Sequence, residues 1–268
     1  MRSVTVSAIA GAAILLSLPA ARAADMPAPM MYHAPAEDFG GWYLRGDIGM
    51  SNQKAKLHHP AFDETASYNH VFDSFGSAPI FGVGIGYQFN SWLRVDVTGE
   101  YRGGSNYSGF GYYSTGSDEY TGKKTEWVGM VNAYADLGTW WCVTPFVGVG
   151  VGFAYNTISN FIDINAVTGG AYYAEDNSKM NFAWALHAGL AYKVTPGLTI
   201  ELAYRYLDLG SAATGPGRSY DGAITNGRPF EFNDLVSHDV KLGVRWALEP
   251  EPTPMPRPVQ LPPLMRKG

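Results

Sequence analysis

Six histidines and one cysteine are the side chains in this sequence most able to bind a metal ion or act as a nucleophile. No two histidines are two or four positions apart, the spacing that brings two imidazoles to one metal on a strand or helix. His58, His59 and His70 share one polar stretch, where they form either a weak surface site for a metal or haem or three solvated imidazoles. A lone Cys142 excludes a disulfide framework and a zinc ribbon. We therefore expect no metal site.

Motifs for hydrolysis and nucleotide binding are not supported either. Ser237 and His238 are adjacent, so on a strand they point to opposite faces and do not form the Ser–His pair of a barrel hydrolase. Glycines alternate with other residues over 82–86 and 148–152, but the period is two and no helix follows. The missing side chains more plausibly leave room for long neighbours or permit bending. We expect no enzyme activity and no cofactor.

The composition excludes several classes of protein. Of the 268 residues, 16% are charged, against about 25% in soluble domains. The net charge of −5 offers no basic footprint for nucleic acid, so no nucleic-acid partner is expected. Aromatic residues make up 14% of the chain and Gly is frequent, yet long hydrophobic runs are lacking beyond the N-terminus. An apolar environment must surround those rings without transmembrane helices.

The first 23 residues have the pattern of a secretory signal peptide. Arg2 gives the positive start, an apolar run extends over 4–18, and Ala21 and Ala23 form a small-x-small cleavage site. The run is too short to cross about 30 Å of hydrocarbon as a helix. We predict cleavage after Ala23, which leaves a mature chain that begins at Ala24.

The mature chain contains eight segments in which every second residue is apolar. A period of two is typical of strands, and segments of about ten residues with one apolar face match bilayer-spanning strands. The segments are Trp42–Asn52, Pro79–Phe89, Leu93–Arg102, Glu126–Leu137, Phe146–Tyr155, Phe182–Lys193, Leu198–Tyr206 and Asp239–Leu248.

The connections and the aromatic residues favour a membrane barrel over a soluble β-sandwich. Long connections near 53–78, 103–124, 156–180 and 209–234 alternate with short ones, which is the outer-membrane pattern. Aromatic residues collect at both ends of the segments, as at two membrane interfaces. Because lipid cannot satisfy an open sheet edge, the strands must close. We predict an all-β fold: a closed eight-stranded antiparallel transmembrane β-barrel over 41–248, with long extracellular loops, short periplasmic turns and both termini in the periplasm.

The polar faces of these strands predict a charged barrel interior. Eight strands leave an interior just wide enough for side chains. We assign seven basic and seven acidic residues to this lumen network, either as a cross-linked plug, the preferred interpretation, or as a narrow ion path. They are Arg45, Arg94, Arg102, Lys193, Arg205, Lys241 and Arg245, with Asp47, Asp96, Glu100, Glu126, Asp136, Glu201 and Asp239. His187 is expected to join them.

Two Pro-containing segments flank the predicted barrel. Residues 24–40 form an extended periplasmic leader, and residues 249–268 form a Pro-rich periplasmic tail that favours polyproline II. The tail is either an inert extension or a periplasmic contact.

Several motifs resemble the small eight-stranded outer-membrane barrels of alphaproteobacteria, the opacity-type porin family with OmpA-like barrels. They are the leader at 24–27, the first-strand motif at 41–46, the Gly-rich strand at 144–152 and the stretch at 202–210. The last strand resembles the assembly signal of such barrels, carried here by Lys241, Gly243, Trp246 and Leu248. The Pro-rich tail departs from the family, whose chains typically end at an aromatic residue.

The resemblance implies an integral protein of the outer membrane, which contacts lipid, lipopolysaccharide and the barrel assembly machinery. Some related barrels with mature Ala-Asp termini are joined covalently to peptidoglycan by L,D-transpeptidases. This implies that Ala24 donates its α-amine, with Asp25 aiding recognition. We expect a structural protein that supports envelope integrity, and the resemblance adds attachment to peptidoglycan to this role. The alternatives are a narrow porin for small solutes and a surface adhesin or ligand-binding barrel.

Overall fold

The computed structural model describes residues 40–58, 69–114 and 116–248, and these residues form β-strands joined by turns. No helix in this described part is long and apolar enough to cross a membrane. The strands are β1 (Gly41–His58), β2 (Asn69–Phe75), β3 (Ala78–Gln88), β4 (Leu93–Tyr113), β5 (Gly116–Asp136), β6 (Val143–Asn165), β7 (Ala171–Ala174), β8 (Asn177–Thr195), β9 (Leu198–Ala213), β10 (Gly217–Ser219) and β11 (Glu231–Ala247).

Eight of these strands pair in a closed antiparallel ring. The order is β1, β3, β4, β5, β6, β8, β9 and β11, and β11 pairs again with β1 from Tyr43↔Ala247 outward. Closure gives the backbone groups of the first and last strands a partner, as a membrane-embedded sheet requires. The predicted fold class is confirmed.

Side chains alternate strictly between the two sides of the wall. On β1, Tyr43, Arg45 and Asp47 are buried, whereas Ile48 and Met50 are 55% and 53% exposed. Large apolar side chains are exposed in the same way on every strand of the ring. This inverted pattern, with polar groups inside and apolar groups outside, suits a wall surrounded by lipid.

The short connections lie at one end of the ring, where β1 also begins and β11 ends. The Asn90 carboxamide oxygen accepts hydrogen bonds from the amides of Trp92 (3.0 Å) and Leu93 (2.8 Å), which closes the β3–β4 turn. The amide of Leu248 donates to the carbonyl of Trp42 at 2.8 Å at the same end.

The long connections are more regular than expected. The sequence predicts a loop over 103–124, but β4 and β5 continue as a paired hairpin to Tyr113 and Gly116. Three short strands add to this end: β2 pairs with β4, β7 with β6 and β10 with β7. The parts of the strands that continue past an outer row of aromatic residues, together with β2, β7 and β10, are called the outer extension; these aromatic residues are Tyr101, Trp127, Tyr155, Trp184 and Tyr206.

Candidate functional site

Large side chains fill the interior of the ring, and glycines on the neighbouring strands make room for them. A Cβ at Gly148 would come within 2.5 Å of Tyr134 Cδ1, and one at Gly243 within 2.6 Å of Asp47 Oδ1. The Gly-x-Gly runs therefore leave room for long residues that cross the lumen.

Ion pairs fill the lumen nearest the short turns. The Arg45 guanidinium lies 2.8 Å from Asp47 and 2.5 Å from Asp96. Arg94 lies 3.2 Å from both Asp136 and Glu201. Arg245 also contacts Glu201, at 3.3 Å. Each carboxylate thus touches a cation from another strand or from two residues away.

A second group of ion pairs lies further along the lumen. Arg205 contacts Glu100 at 2.6 Å and Asp239 at 2.7 Å, and Lys241 contacts Glu100 at 2.5 Å. Arg102 lies 2.9 Å from Asp239 and 2.7 Å from Glu126. Glu100 and Asp239 each bridge two cations, and Lys241 also lies 3.6 Å from Asp47 on β1. These contacts cross-link β1, β4, β5, β9 and β11 through the interior.

One predicted member of the lumen network, Lys193, lies elsewhere. Its side chain is exposed at the short-turn end of β8, because the strand ends at Thr195 and the lumen opens there. Lys124, which lies in the stretch predicted to be a loop, is instead fully buried and pairs with Glu126. With Lys124 in place of Lys193, the lumen network still has seven bases and seven acids, all of them buried except Arg245, whose side chain is 11% exposed: Arg45, Arg94, Arg102, Lys124, Arg205, Lys241, Arg245, Asp47, Asp96, Glu100, Glu126, Asp136, Glu201 and Asp239.

Uncharged residues complete this network, and most of them were not predicted. The Tyr134 hydroxyl accepts a hydrogen bond of 3.0 Å from Arg45, and the Arg94 guanidinium lies 4.2 Å from the centre of the Tyr134 ring. His187 is buried against the same ring, at 5.2 Å between centroids. Gln53 links Glu126 (3.0 Å) to Lys124 (2.8 Å). Tyrosine and glutamine on inward positions carry no charge signal, so the sequence pattern did not single them out.

A cluster of apolar residues fills the interior beyond the ion pairs, toward the outer extension. Phe161 lies 4.7 Å from Phe230 between ring centroids, and Phe232 lies 4.9 Å from Tyr107. The members that we call the aromatic layer are fully or nearly fully buried: Phe75, Tyr107, Tyr120, Phe161, Phe230 and Phe232. The lumen therefore has a charged layer and a separate aromatic layer.

A pair of carboxyl groups lies at the outer edge of this aromatic layer. Asp163 on β6 pairs with Tyr120 on β5, and Asp118 lies two residues before Tyr120, nearer the outer end of β5. Burial, with the Asp118 carboxylate as a second cause, raises the pKa of Asp163 to about 7. Burial also raises the pKa of Asp118. The sequence pattern missed both residues, because they lie in stretches predicted to be loops.

The remaining predicted residues either lie on the barrel wall or belong to segments outside the described residues. Gly243 and Lys241 face the lumen, whereas Trp246 and Leu248 are 65% and 51% exposed on the outer wall. Ser237 is buried, and His238 lies on the opposite face of β11. Ala24, Asp25 and His59 lie outside the described residues, as do the predicted signal peptide and tail.

The outer wall carries two aromatic belts. Near the short turns they include Trp42, Phe89, Trp92, Trp140 and Tyr192, all about half exposed or more. Toward the long connections, Tyr101 and Trp127 pack at 4.9 Å and Trp184 and Tyr206 at 5.4 Å between ring centroids.

Among the described residues no group of three His, Cys, Asp or Glu side chains is placed to hold a metal ion. A closed ring with an apolar outer wall, two aromatic belts and a charged interior defines an integral β-barrel of the outer membrane.

Sequence comparison gives the family. Residues 9–247 match the family model of the outer membrane protein beta-barrel domain, and the chain belongs to this family. An uncharacterized protein of Brucella abortus is 30% identical over 87% of this chain and 94% of its own length. The outer membrane protein PagN of Salmonella typhimurium is 28% identical over 83% of this chain and 96% of its own. A putative adhesin of Rickettsia prowazekii is 27% identical over 77% of this chain and 87% of its own.

Solved structures are more distant in sequence. Neisserial surface protein A is 15% identical, with a TM-score of 0.47 over 77% of this chain and 96% of that protein. OprG from Pseudomonas aeruginosa is 12% identical, with a TM-score of 0.48 over 78% of this chain and 97% of that protein.

Proposed function

We propose that this protein is a non-conducting structural barrel that supports the outer membrane and acts through its outer and periplasmic surfaces. The observation that carries this proposal is the lumen network, in which seven bases pair with seven acids across the interior. A pore for small solutes needs a continuous hydrated path, whereas here the charged groups are bonded to each other across the lumen. The aromatic layer adds a second, apolar barrier above them.

Conductance across a planar lipid bilayer tests this proposal against the porin alternative. We expect no steady current steps from the purified full-length protein in concentrated KCl. In a parallel experiment, insertion into lipid vesicles is verified by the protection of the barrel strands from added protease. Reproducible steps of one defined conductance would overturn the proposal.

We infer that the leader ties this barrel to peptidoglycan through the α-amine of Ala24. The support is the predicted Ala24-Asp25 terminus and the length of the leader, which would span roughly 50 Å if it were extended. An α-amine has a pKa of about 7.7–8.0, so a neutral fraction exists near pH 7 to attack an acyl-enzyme. Muramidase-digested envelopes should yield Ala24 peptides that carry the mass of a muropeptide. A free terminus on all copies would remove the tether and leave the structural role of the barrel unaffected.

A second candidate function, binding of a surface ligand, is favoured by a cleft in the outer extension. The cleft, of about 340 Å³, lies between β6, β7 and β10 and is lined in part by Tyr173, Glu175 and Arg218. An aromatic ring beside opposite charges suits a polar ligand such as a glycan, and one relative is described as a putative adhesin. Binding to a glycan array should be lost in the Y173A/R218A variant and kept in K123Q, whose substitution lies on β5 outside the cleft. Equal binding by both variants would exclude the cleft.

A further inference from the structure

We propose that the Pro-rich tail, residues 249–268, docks on Trp140 and Trp141 at the short-turn end of the barrel. The two tryptophans lie at the end of the β5–β6 hairpin, and we call residues 138–143 the hairpin tip. This inference goes beyond the proposed structural role, because it assigns an intramolecular partner to a segment that lies outside the described residues. It rests on how far the tip projects, on the conformation of its turn, and on the reach and charge of the tail.

The hairpin tip projects further past the lipid-facing wall than the β3–β4 turn does. An apolar band of about 25 Å corresponds to about ten residues of a strand that is tilted by about 40°. This length, counted from Trp127 of the outer aromatic row, ends at Leu137, directly after β5. The same count from Tyr101 on β4 ends at Ser91, which is already inside the turn.

Trp141 therefore lies beyond the lipid headgroups. It follows Leu137 by four residues, which is about 10 Å further along the membrane normal. The headgroup region adds only about 5–8 Å on each side of the hydrocarbon. The hairpin tip thus extends into water, where lipid does not cover its aromatic rings.

The turn at the tip has a conformation that its side chains disfavour. Trp140 and Val143 exchange two backbone hydrogen bonds of 2.9 Å, which leaves Trp141 and Cys142 as a two-residue turn. Both turn residues have a left-handed backbone, with φ of 49° and 67°. Asn-Gly is the usual pair in such a turn, because a bulky side chain is strained there. A tryptophan in a strained and exposed position indicates a role for its side chain.

The two indole rings form an apolar surface. Trp141 is 96% exposed and Trp140 is 59% exposed. The Trp140 ring is held against the backbone of Gly138, where an added Cβ would lie 3.3 Å from the Trp140 Cη2. Exposed aromatic surfaces are the usual docking sites of proline-rich segments, because the polyproline II helix is ordered before it binds.

The tail starts at the same end of the ring. The Leu248 amide donates a hydrogen bond of 2.8 Å to the carbonyl of Trp42, so the residue before the tail is fixed to the wall. His238 pairs with Tyr206 of the outer aromatic row and precedes Leu248 by ten residues. Leu248 therefore lies at the edge of the apolar band, as Leu137 does.

The tail is long enough to reach the hairpin tip. β11 and β6 are three positions apart in the ring of eight, which is about 15 Å for strands about 4.8 Å apart with a tilt of about 40°. With the projection of about 10 Å, the tip lies about 18 Å from Leu248. In polyproline II, which the tail sequence favours, six residues span about 19 Å. Pro254 and the two alternate prolines that follow it, Pro256 and Pro258, therefore reach the tip.

The local charge suits this tail. Lys193 is exposed beside the tip, where its main-chain amide donates a hydrogen bond of 3.0 Å to the Cys142 carbonyl. Within the described residues, no acidic side chain is exposed at the short-turn end. The tail carries Glu249 and Glu251 before its docking prolines, so opposite charges attract it to this end of the ring.

A distance measurement between two spin labels tests this contact. One nitroxide is attached to Cys142, which is exposed at the tip and is the one cysteine of the chain, and the second to Q260C in the tail. The full-length protein is reconstituted at one barrel per nanodisc, so that the tail of a second copy cannot contribute. Because a docked tail has one position, we expect electron–electron dipolar spectroscopy to give a single narrow distance distribution.

Substitutions on both sides of the contact make the test specific. W141N removes the indole, and asparagine accepts the left-handed backbone, so the turn and the labelling site remain. We expect the distance distribution to widen at least about twofold in W141N and, separately, in P254A/P256A/P258A, because a released tail samples many positions. The control W92A removes a tryptophan that is 55% exposed at the β3–β4 turn, and it should retain the narrow distribution.

The folding of each variant is checked by its heat-dependent migration in gels, and the proline variant leaves the barrel itself unchanged. A broad distribution in the wild type would overturn the proposal, since the tail would then be undocked. An unchanged narrow distribution in W141N or in the proline variant would also overturn it, because the tail would then be held by other groups.

Discussion

At the level of single residues, the charge pattern predicted which charged residues face the lumen better than it predicted how far the lumen extends along the barrel axis. Parity along each strand gives the side to which a residue points, and Arg45, Glu100 and Arg205 do face inward and pair. Parity does not give depth along the barrel axis. Lys193 has the inward parity but lies where the lumen opens, and Lys124 has it at a depth that the sequence assigned to a loop.

Glu100 is the residue whose neutralisation tests the lumen network most directly. It is buried and accepts hydrogen bonds from Arg205 (2.9 and 2.6 Å) and Lys241 (2.5 Å). E100Q leaves two cations partly uncompensated, so we expect the free energy of unfolding to fall by about 3 kcal/mol. Equilibrium unfolding in urea, in the presence of lipid vesicles, measures this loss.

The control for E100Q is E119Q on the exposed outer face of β5, for which a change of less than about 0.5 kcal/mol is expected. The double variant E100Q/K241M removes one of the uncompensated cations and should regain part of the stability. If E100Q and E119Q had the same effect, the network would contribute little to folding.

At the level of elements, the membrane-spanning strands were predictable and their continuation was not. Within the membrane, alternating aliphatic and charged residues give a clear period of two. In the outer parts of β4 and β5 the alternation persists, but Gly, Ser, Tyr and Lys carry it, and both faces contain polar residues. A pattern based on hydrophobicity cannot detect a strand whose two sides differ little in polarity. The buried partners of this hairpin are distant in sequence: Phe230, which directly precedes β11, and Phe232 on β11.

The close approach of β5 and β6 depends on one glycine. A Cβ on Gly152 would overlap the carbonyl oxygen of Gly129 and come within 2.9 Å of the Met130 Cα, which are main-chain atoms that cannot rotate away. We expect G152A to lower the free energy of unfolding by about 1–3 kcal/mol, because the strands must separate. The matched control is G99A, since a Cβ there meets no atom within 4 Å. A loss in G99A as large as that in G152A would contradict this explanation.

The paired outer ends of β5 and β6 should be sensitive to pH through Asp163. Its pKa of about 7 in the folded protein lies above the value of about 3.9 in an unfolded chain. In the folded protein this region therefore binds the proton more tightly than the unfolded chain does, so its stability falls as the pH rises from about 4 to about 7 and is lowest above pH 7. Asp118, Tyr113 and Tyr172 are the titratable groups around this carboxyl group.

Hydrogen exchange of the amides in the outer ends of β5 and β6, corrected for intrinsic rates, measures this effect. We expect greater protection at pH 5 than at pH 8 in the wild type and a much smaller difference in D163N. The E119Q variant, which changes an exposed acid on the outer end of β5, should retain the wild-type difference. Greater protection at pH 8 than at pH 5 would show that the sign of the shift is wrong.

At the level of the whole molecule, two chemically different layers close one lumen. The charged layer lies within the membrane-spanning part, where a protein wall and lipid surround it. The aromatic layer lies in the outer extension and is held by strands that continue beyond the membrane. The two layers therefore differ in what they depend on: the charged layer needs the ring of eight strands, and the aromatic layer needs the outer hairpins as well.

Shortening the β4–β5 hairpin separates the contributions of these layers. Replacing residues 107–122 by Asn-Gly joins Asn106 to Lys123, which are paired residues, through a favourable two-residue turn. This variant loses Tyr107 and Tyr120 from the aromatic layer and keeps all fourteen charged residues of the lumen network. We expect it to fold as a barrel and to remain non-conducting in a planar bilayer, because the ion pairs alone block the path. A steady current from the folded variant would show instead that the aromatic layer blocks the path and that the charged layer is hydrated and permeable to ions.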